Sequence, residues 1–439
     1  MILSGSYLKK LYSSEFRSKM NKIFLLFLII LCSSCKDNTK TISKSDFEVK
    51  QDSLSNSLND IHKQGHINGF GVAIVDENGI LYNEGFGFSQ MAEKKSYQRN
   101  TIQNIGSVSK TLIGVALLKA QELGKLSLDD PINKYLPFVV ANPKFPEDTI
   151  TIRHLATHSS SIVDNEFYNG KAYVLKENEK LPDDTGIDEV FNPSDSKLPM
   201  IDFLSKILTQ DGEWYEMTTF TENRPGTIFE YSNIGASLAA AILEIAVESS
   251  YDRFTRLHIL EPLGMDSSGW SFEDIDIEMH SGLYANPENE LPLYSLITYP
   301  DGGLITSSQD LGKFLSELIN GYSGKGKLLT RESYQELFTE QLPSESFLER
   351  DEEDDYDDEY NTGIFMGFTP RGHIGHTGGD PGIASYMFFN PKTQVGRLLI
   401  INTSVINSQG VDEFYSIWNT LGEYEARLKS QNQIDKAKQ

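Results

Sequence analysis

Residues 104–123, NIGSVSKTLIGVALLKAQEL, are the stretch of sequence that decides the fold. From Ser107 onward the apolar residues recur at helical spacing, and Gly124 is a typical helix stop. The helix opens with Ser-x-x-Lys, which places the hydroxyl of Ser107 and the amine of Lys110 on the same side of the helix. An amine at that separation can take the proton of the hydroxyl, as a nucleophilic serine requires.

The Ser-x-x-Lys pattern is common, and by itself it would leave Lys110 open to being a solvated helix lysine. It occurs four times in this chain, and the other three copies lie in the N-terminal leader or in polar segments. Those copies are Ser6/Lys9, Ser33/Lys36 and Ser194/Lys197. Only at Ser107 does the pattern open an apolar helix, which would bury the pair and favour the neutral amine that a general base needs.

Two further triplets follow in the chain. Tyr231-Ser232-Asn233 precedes a predicted helix over 233–247, so the tyrosine can exchange a proton and the asparagine can donate to a substrate amide. His376-Thr377-Gly378 precedes the last predicted hairpin, and Gly379 leaves room for a substrate at its backbone N–H. His376 also has a purely structural alternative.

Together these motifs resemble the class C β-lactamase, D-Ala-D-Ala carboxypeptidase and family VIII esterase group of serine hydrolases, in which Tyr-x-Asn replaces Ser-Asp-Asn. The resemblance covers about residues 68–402 and includes shorter motifs in the same order. These are 104–106 (NIG), 130–132 (DPI), 135–137 (YLP), 152–158 (IRHLATH), 224–227 (RPGT), 261–265 (EPLGM) and 302–304 (GGL).

The resemblance implies roles for individual residues. Ser107 would attack a carbonyl group, and Lys110 and Tyr231 would share the proton transfers. Asn233 would orient the substrate and Lys110. The remaining expected site residues are His376, Thr377 and Gly378 for substrate binding, with the backbone N–H groups of Ser107 and Gly379 as oxyanion hole. No cofactor and no metal is implied.

The chain departs from this family at two positions. It has Ser159-Ser160-Ser161 after His158, where members often have Thr-Ser-Gly, so the rim of the site differs there. It also has His376 in place of lysine, and a neutral imidazole holds a substrate carboxylate less firmly than an ammonium. The substrate therefore stays open among a peptide, a β-lactam and an ester. The alternative function is a non-catalytic penicillin-binding-like lipoprotein that acts as a binding or sensor module.

The predicted elements indicate an α+β fold. Hairpins over 69–88 and 384–401 lie near the two chain ends, with helices between them. We therefore expect one antiparallel sheet completed by both ends, with a helical lobe inserted, as in the β-lactamase/transpeptidase-like fold. The hydrolase domain is predicted over 62–428 and a polar tail over 429–439.

The N-terminus predicts where the protein goes. The apolar run 23–32 is too short to span a bilayer and reads as the core of a signal peptide over 1–34, with Met20 as the better start. The small residues before Cys35 resemble a bacterial lipobox, although Cys32 stands where an aliphatic residue is preferred. We expect lipidation at Cys35, a polar tether over 35–61, and a periplasmic or surface-exposed place in the cell envelope. A plain signal peptide is the alternative.

Composition limits the partners. The formal net charge of −24 argues against nucleic acid, because a polyphosphate must meet a basic face. With two cysteines, both before residue 36, a disulfide scaffold or a cysteine-rich zinc site in the body is excluded. The expected partners are a small-molecule or peptide substrate and the membrane, and we expect a monomer.

Two segments and one pair of histidines remain to be interpreted. Residues 164–223 are rich in aromatic side chains and are expected to form a lid or a subsite wall, with a surface insertion as the alternative. Residues 349–359, ERDEEDDYDDE, predict a solvated acidic loop, with weak cation binding as the lesser alternative. His154 and His158 have the spacing of zinc ligands but lack the glutamate of His-Glu-x-x-His, so a structural role is expected.

Overall fold

The computed structural model describes residues 44–180, 187, 190–351 and 353–437. The predicted leader over 1–34 and Cys35 lie outside the described residues. The helices, in chain order, are α1 Asp46–His62, α2 Lys110–Glu122, α3 Ile152–Ala156, α4 Glu166–Lys171, α5 Met200–Leu208, α6 Asn233–Val247, α7 Tyr251–Thr255, α8 Glu261–Leu263, α9 Ser308–Tyr322, α10 Arg331–Leu337 and α11 Ser408–Ala437.

The strands lie mostly towards the two ends of the chain, as expected. They are β1 Gly69–Asp76, β2 Gly79–Gln90, β3 Lys95–Ser96, β4 Ile102–Asn104, β5 Tyr173–Leu175, β6 Leu283–Asn286, β7 Asn289–Leu291, β8 Tyr294–Leu296, β9 Ile305–Ser307, β10 Asn361–Thr362, β11 Gly367–Phe368, β12 Ile374–Asp380, β13 Ile383–Asn390 and β14 Val395–Ile401.

One antiparallel sheet joins the two ends of the domain and confirms the predicted α+β fold. Its strand order is β10-β11-β12-β13-β14-β1-β2-β3. At its centre β1 pairs with β14, so that Val72 lies opposite Leu399. Both predicted hairpins are present, β1 with β2 and β13 with β14. The first and last strands of the domain are therefore neighbours, and the helical lobe is inserted between them.

The central strands are buried on both faces, and alternate residues enter two different cores. In β14, Leu399 and Ile401 pack in the core beneath α1 and α11, whereas Leu398 and Ile400 pack in the core of the helical lobe. The second core also holds most of α2 and α6, whose apolar residues are almost completely buried. These two helices carry the predicted catalytic motifs at their N-termini, which places the site against the sheet.

The N-terminal boundary of the domain differs from the prediction. Residues 46–61, expected as part of a polar tether, form α1, and its Leu54 and Leu58 are completely buried against α11 and the sheet. Apolar residues at i and i+4 give the helix a narrow face that its polar composition conceals. The tether prediction is therefore wrong from residue 46 onward.

The C-terminal tail prediction is also wrong for the described residues. α11 continues to Ala437 rather than ending near Leu428. Gln431 is buried and accepts a hydrogen bond from Lys50 of α1 at 2.7 Å. The two terminal helices therefore cover the outer face of the sheet together.

The described residues of the segment 164–223 belong in part to the core of the helical lobe, so the segment is not a separable insertion. Tyr168 and Phe203 are buried in that core, and β5 pairs with β8. Removing the segment would open the lobe, so its contribution to specificity cannot be tested by deletion. The alternative of a separable surface insertion is therefore wrong, and the lid or subsite wall stays a prediction.

In the part of the chain that the structure describes, no single helix has both the length and the apolar character to cross a bilayer. The bent pair Asn233–Val247 and Tyr251–Leu263 meets the criterion only when its two helices are taken together.

The packing of α1 predicts a measurable contribution to stability. Leu58→Ala should lower the free energy of unfolding by about 2–5 kcal/mol, because it leaves a cavity between α1 and the sheet. Asn56→Ala, at an exposed position of the same helix, is the control and should change it by less than about 0.5 kcal/mol. Denaturant unfolding measures both, and equal midpoints for the two variants would support a tether instead.

Candidate active site

Ser107 lies in a 3-10 turn, Gly106–Ser109, directly before α2, and Lys110 is the first residue of that helix. The Lys110 side chain is completely buried, and its Nζ is hydrogen-bonded to Ser107 Oγ at 2.9 Å. The same Nζ donates to Asn233 Oδ1 at 2.6 Å and to the backbone oxygen of Asp301 at 2.8 Å. Three separate parts of the chain therefore fix the position of the amine.

The turn that carries Ser107 is pressed against β12. Gly106 has φ +56°, and a Cβ atom built on it would lie 2.8 Å from the backbone nitrogen of Gly379. A Cβ atom on Gly378 would lie 2.3 Å from the backbone oxygen of Ile105. Both positions therefore need glycine, one for its φ and both for their space. Ser385 of β13 donates to the same Ile105 oxygen at 2.6 Å and holds the turn in place.

The predicted oxyanion hole is consistent with this packing. In a strand, N–H groups two residues apart point to the same edge. The N–H of Thr377 points away from β13, because it donates to a side chain on the other edge, Asp358. The N–H of Gly379 therefore points to that same edge, which is where the turn of Gly106 and Ser107 lies.

Tyr231 lies between the pair Ser107 and Lys110 on one side and two histidines on the other. Lys110 Nζ is 5.1 Å from the centre of its ring, and its hydroxyl is hydrogen-bonded to Ser107. The ring stacks on His158 with centroids 4.5 Å apart, and His376 is 6.2 Å away. His158 Nδ1 accepts from the backbone N–H of Ser232, so it helps to fix the start of α6.

Asn233 is oriented by Asp164. The amide Nδ2 of Asn233 donates to Asp164 Oδ2 at 2.7 Å, which leaves its Oδ1 for Lys110. The same carboxylate accepts the backbone N–H of Ile234 at 2.9 Å, close to the positive end of the α6 dipole. Ser232 caps this helix by accepting from the N–H of Gly235.

Asp301 connects the site to the helical lobe. Its carboxylate accepts from Tyr168 at 2.8 Å and from Ser237 at 2.7 Å, while its backbone oxygen accepts from Lys110. Tyr168 comes from the 164–223 segment, and so does Tyr173, whose hydroxyl donates to Asp380 at 2.6 Å. The segment therefore borders the site through side chains that belong to the core.

The last triplet meets the end of the acidic loop. Thr377 donates from its backbone N–H to Asp358 at 2.7 Å and from its hydroxyl at 3.1 Å. His376 Nδ1 lies 2.6 Å from the backbone oxygen of Thr377, which can only accept, so this nitrogen carries the ring proton. The expectation of a solvated loop holds for Asp351, Glu353 and Asp354, which are exposed, but is wrong for Asp358.

Burial dominates the protonation of the site. It lowers the pKa of Lys110, while the carboxylates of Asp301 and Asp164 act in the opposite direction. Burial also lowers the pKa of His376, although Asp358 beside it acts to raise that pKa. The pKa of Tyr231 is raised well above its ordinary value, again by burial, so this residue keeps its proton near neutral pH.

A cavity of about 330 Å³ opens beside Tyr231. Its walls combine aromatic side chains with charged ones. They include Phe229, Phe347, Glu349, Arg350 and Glu359. Of the three predicted catalytic residues, Tyr231 lines this cavity, and Ser107 and Lys110 do not.

The structure brings together every predicted site residue that it describes, from Ser107 to Gly379. Cys35 is not among the described residues. His154 and His158 have separate structural roles, because His154 Nδ1 lies 3.3 Å from the backbone N–H of Thr151. Within the described ranges, no group of three or more His, Cys, Asp or Glu side chains could hold a metal ion. Asp164, Asp301 and Asp358 also belong to the site, and the residue motifs do not predict them.

Comparison with known proteins gives consistent findings. The family model described as Beta-lactamase matches residues 54–421. Protein flp of Staphylococcus aureus (strain MW2) is 25% identical over 365 residues, which cover 82% of this chain. The match spans 64% of the length of that relative.

Solved structures resemble the chain in fold. A Beta-lactamase/D-alanine Carboxypeptidase from Yersinia pestis has a TM-score of 0.60 at 18% identity, over 88% of this chain and 99% of that one. A D-amino acid amidase from Ochrobactrum anthropi SV3 has a TM-score of 0.59 at 20% identity, over 86% of this chain and 99% of that one.

The buried amine predicts how the reactivity of Ser107 depends on pH. Burial disfavours the ammonium, so the neutral amine of Lys110 should predominate at a lower pH than for an ordinary lysine. The rate of reaction of Ser107 with a neutral fluorophosphonate should rise with pH and reach its plateau below pH 10.5, the ordinary value. Lys110→Met should lose this dependence and about 10²–10⁴ of the rate.

Lys125→Met is the matched control, since Lys125 is exposed just after α2. It should keep the wild-type profile. A plateau above pH 10.5, or an unchanged profile in Lys110→Met, would show that Lys110 is not the base.

Proposed function

Since the chain belongs to the beta-lactamase family, we propose that it is a serine hydrolase that cleaves an amide, a β-lactam or an ester through an acyl-enzyme. The observation that carries the proposal is the buried Lys110 amine at 2.9 Å from Ser107 Oγ. A lysine in this position is fixed by acceptors and desolvated, which is how a primary amine becomes a general base.

In the proposed reaction Ser107 Oγ attacks the carbonyl carbon while its proton passes to the neutral amine of Lys110. The carbonyl oxygen becomes an oxyanion, for which the N–H groups of Ser107 and Gly379 are placed at the junction of α2 and β12. Asn233 keeps Lys110 aimed at Ser107 through the 2.6 Å hydrogen bond. The site therefore supplies nucleophile, base and electrostatic stabilisation from rigid elements.

Tyr231 is suited to deliver the proton to the leaving group. Its raised pKa keeps it protonated, and its hydrogen bond to Ser107 puts its hydroxyl next to the bond that breaks. Once the leaving group has departed, the Tyr231 phenolate takes back a proton from the Lys110 ammonium, so that Lys110 is a neutral amine again. A water molecule then attacks the acyl-enzyme while one of its protons passes to Lys110, which gives it to Ser107 Oγ as the acyl–oxygen bond breaks. The product acid is then released.

The alternative is a non-catalytic binding or sensor module with the same fold. The four residues Ser107, Lys110, Tyr231 and Asn233 favour the enzyme, because a binding module needs no desolvated amine next to a hydroxyl. The substrate class stays a proposal, since the same arrangement of groups serves peptides, β-lactams and esters.

Covalent labelling tests the proposal. After exposure to a fluorophosphonate, intact-mass spectrometry should show one adduct on the wild type and none on Ser107→Ala. Ser194→Ala is the matched control, because Ser194 has the same Ser-x-x-Lys pattern without the buried lysine. A wild type that takes no adduct would favour the binding module. Hydrolysis of nitrocefin, p-nitrophenyl acetate and a D-Ala-D-Ala peptide then separates the substrate classes.

We further propose that the protein is anchored in the bacterial cell envelope through a lipid on Cys35. The support is the apolar run 23–32 followed by small residues. Cys35→Ser should move the protein from the membrane fraction to the soluble fraction, whereas Cys32→Ser should leave it in the membrane fraction. Membrane association that survives in Cys35→Ser would contradict the lipid anchor.

A further inference from the structure

The acidic loop places one carboxylate inside the candidate active site. Asp358 accepts from both donors of Thr377, the backbone N–H at 2.7 Å and the hydroxyl at 3.1 Å. The carboxylate also lies close to His376, whose Nδ1 is 3.4 Å from Asp358 Oδ2. The side chain is only 11% exposed, so it belongs to the wall of the site rather than to the surface.

The backbone around Asp358 fixes this position. Glu359 forms an isolated bridge with Phe368 of β11, which holds the end of the loop beside the sheet. A Cβ atom built on Gly367 would lie 2.5 Å from the backbone oxygen of Asp358, so strand and loop are in close contact. β11 pairs with β12 only at Ile374 and Gly375. Farther along the same edge of β12, the backbone N–H and the hydroxyl of Thr377 donate to Asp358 instead.

Asp358 lies where one end of a substrate would be if the scissile carbonyl group occupied the predicted oxyanion hole. Thr377 and Gly379 are two residues apart, so about 7 Å of strand separates the donors that Asp358 occupies from the predicted oxyanion hole. That distance suits a substituent a few bonds from the scissile carbonyl. Tyr231, the proposed proton donor to the leaving group, lines the same small cavity as Asp358 and His376. Asp358 therefore faces the leaving-group side.

A substrate carboxylate at this position would meet a site that is already anionic. The donors of Thr377 are taken, and His376 is neutral when its pKa is lowered by burial. Lys110 is directed at Ser107, Asn233 and Asp301. Two carboxylates a few ångströms apart with no cation between them repel each other, and the repulsion is stronger in a buried site than in water.

We propose that Asp358 determines specificity: it excludes substrates with a carboxylate on the leaving group and admits those with a neutral or cationic group there. This inference rests on the proposed hydrolase function. It narrows the proposed substrates to amides and esters whose leaving group has no carboxylate close to the scissile bond. Peptides that end in a free carboxylate next to that bond are excluded.

Three esters of one acid test the proposal. Phenylacetyl esters of glycolic acid, glycolamide and choline share the acyl group and differ in leaving-group charge: negative, neutral and positive. For the wild type, kcat/KM should be lowest for the glycolate ester, by about ten-fold or more relative to the glycolamide ester. A wild type that prefers the glycolate ester would overturn the proposal, and this result needs no variant to fold.

Asp358→Asn then removes the charge with little change in shape. The ratio of kcat/KM for the glycolate ester to that for the glycolamide ester should rise by about ten-fold, because the repulsion is lost. General effects of the substitution on activity cancel in the ratio. Glu353→Gln, an equal charge change at an exposed position of the same loop, should leave the ratio at its wild-type value.

The outcomes separate this inference from the proposed function. Failure to hydrolyse any of the three esters, with no fluorophosphonate adduct on Ser107, would contradict the hydrolase itself. Hydrolysis with the same ratio in wild type and Asp358→Asn would leave the hydrolase standing and overturn the role of Asp358. Equal shifts in Asp358→Asn and Glu353→Gln would assign the effect to the net charge of the loop and overturn it as well.

Discussion

The buried amine of Lys110 is the constraint on which the rest of the structure depends. A primary amine in a core is stable only if its polar groups are satisfied, and here the partners come from three distant parts of the chain: the acceptors Asn233 Oδ1 and the backbone oxygen of Asp301, and the hydroxyl of Ser107. Each acceptor sits at the end of a regular element or in a tight turn, where side chains and carbonyl groups are free to bond across elements. The same contacts therefore hold the helical lobe together and form the candidate active site.

The second constraint is the close contact between the serine turn and the sheet. Gly106 and Gly378 let two backbones approach to distances at which any side chain would collide. This approach brings the N–H groups of Ser107 and Gly379 to the same place without a dedicated side chain. Since β12 lies two strands from β14 and three from β1, the site depends on the pairing of the two chain ends. The terminal helices that cover this sheet act on the site only through it.

The sequence predicts much of this arrangement because both catalytic motifs stand at the start of strongly apolar helices. The apolar periodicity predicts each helix, and the position of the motif then predicts which side of that helix faces the nucleophile. The residue pattern did not predict α1, because the polar composition of this helix hides Leu54 and Leu58. It also missed Asp301, because a backbone oxygen as acceptor leaves no mark in the residue type. Asp358 was hidden in a run of acids, since nothing in the letters of residues 349–359 tells which one turns inward.

The carboxylates around Lys110 and the burial of its amine have opposite effects on the pKa of Lys110. Asp164, Asp301, Asp380 and Asp358 all favour the ammonium form electrostatically, against the burial that favours the amine. Hydrogen bonds account for their presence: Asp164 orients Asn233, and Asp301 binds Tyr168 and Ser237. Burial also raises the pKa of Asp164 and of Asp301, while the hydrogen bonds that these two carboxylates accept act to lower it. Asp164 and Asp301 therefore act chiefly as acceptors that fix geometry, whereas Asp358 is the carboxylate whose charge we propose acts on the substrate.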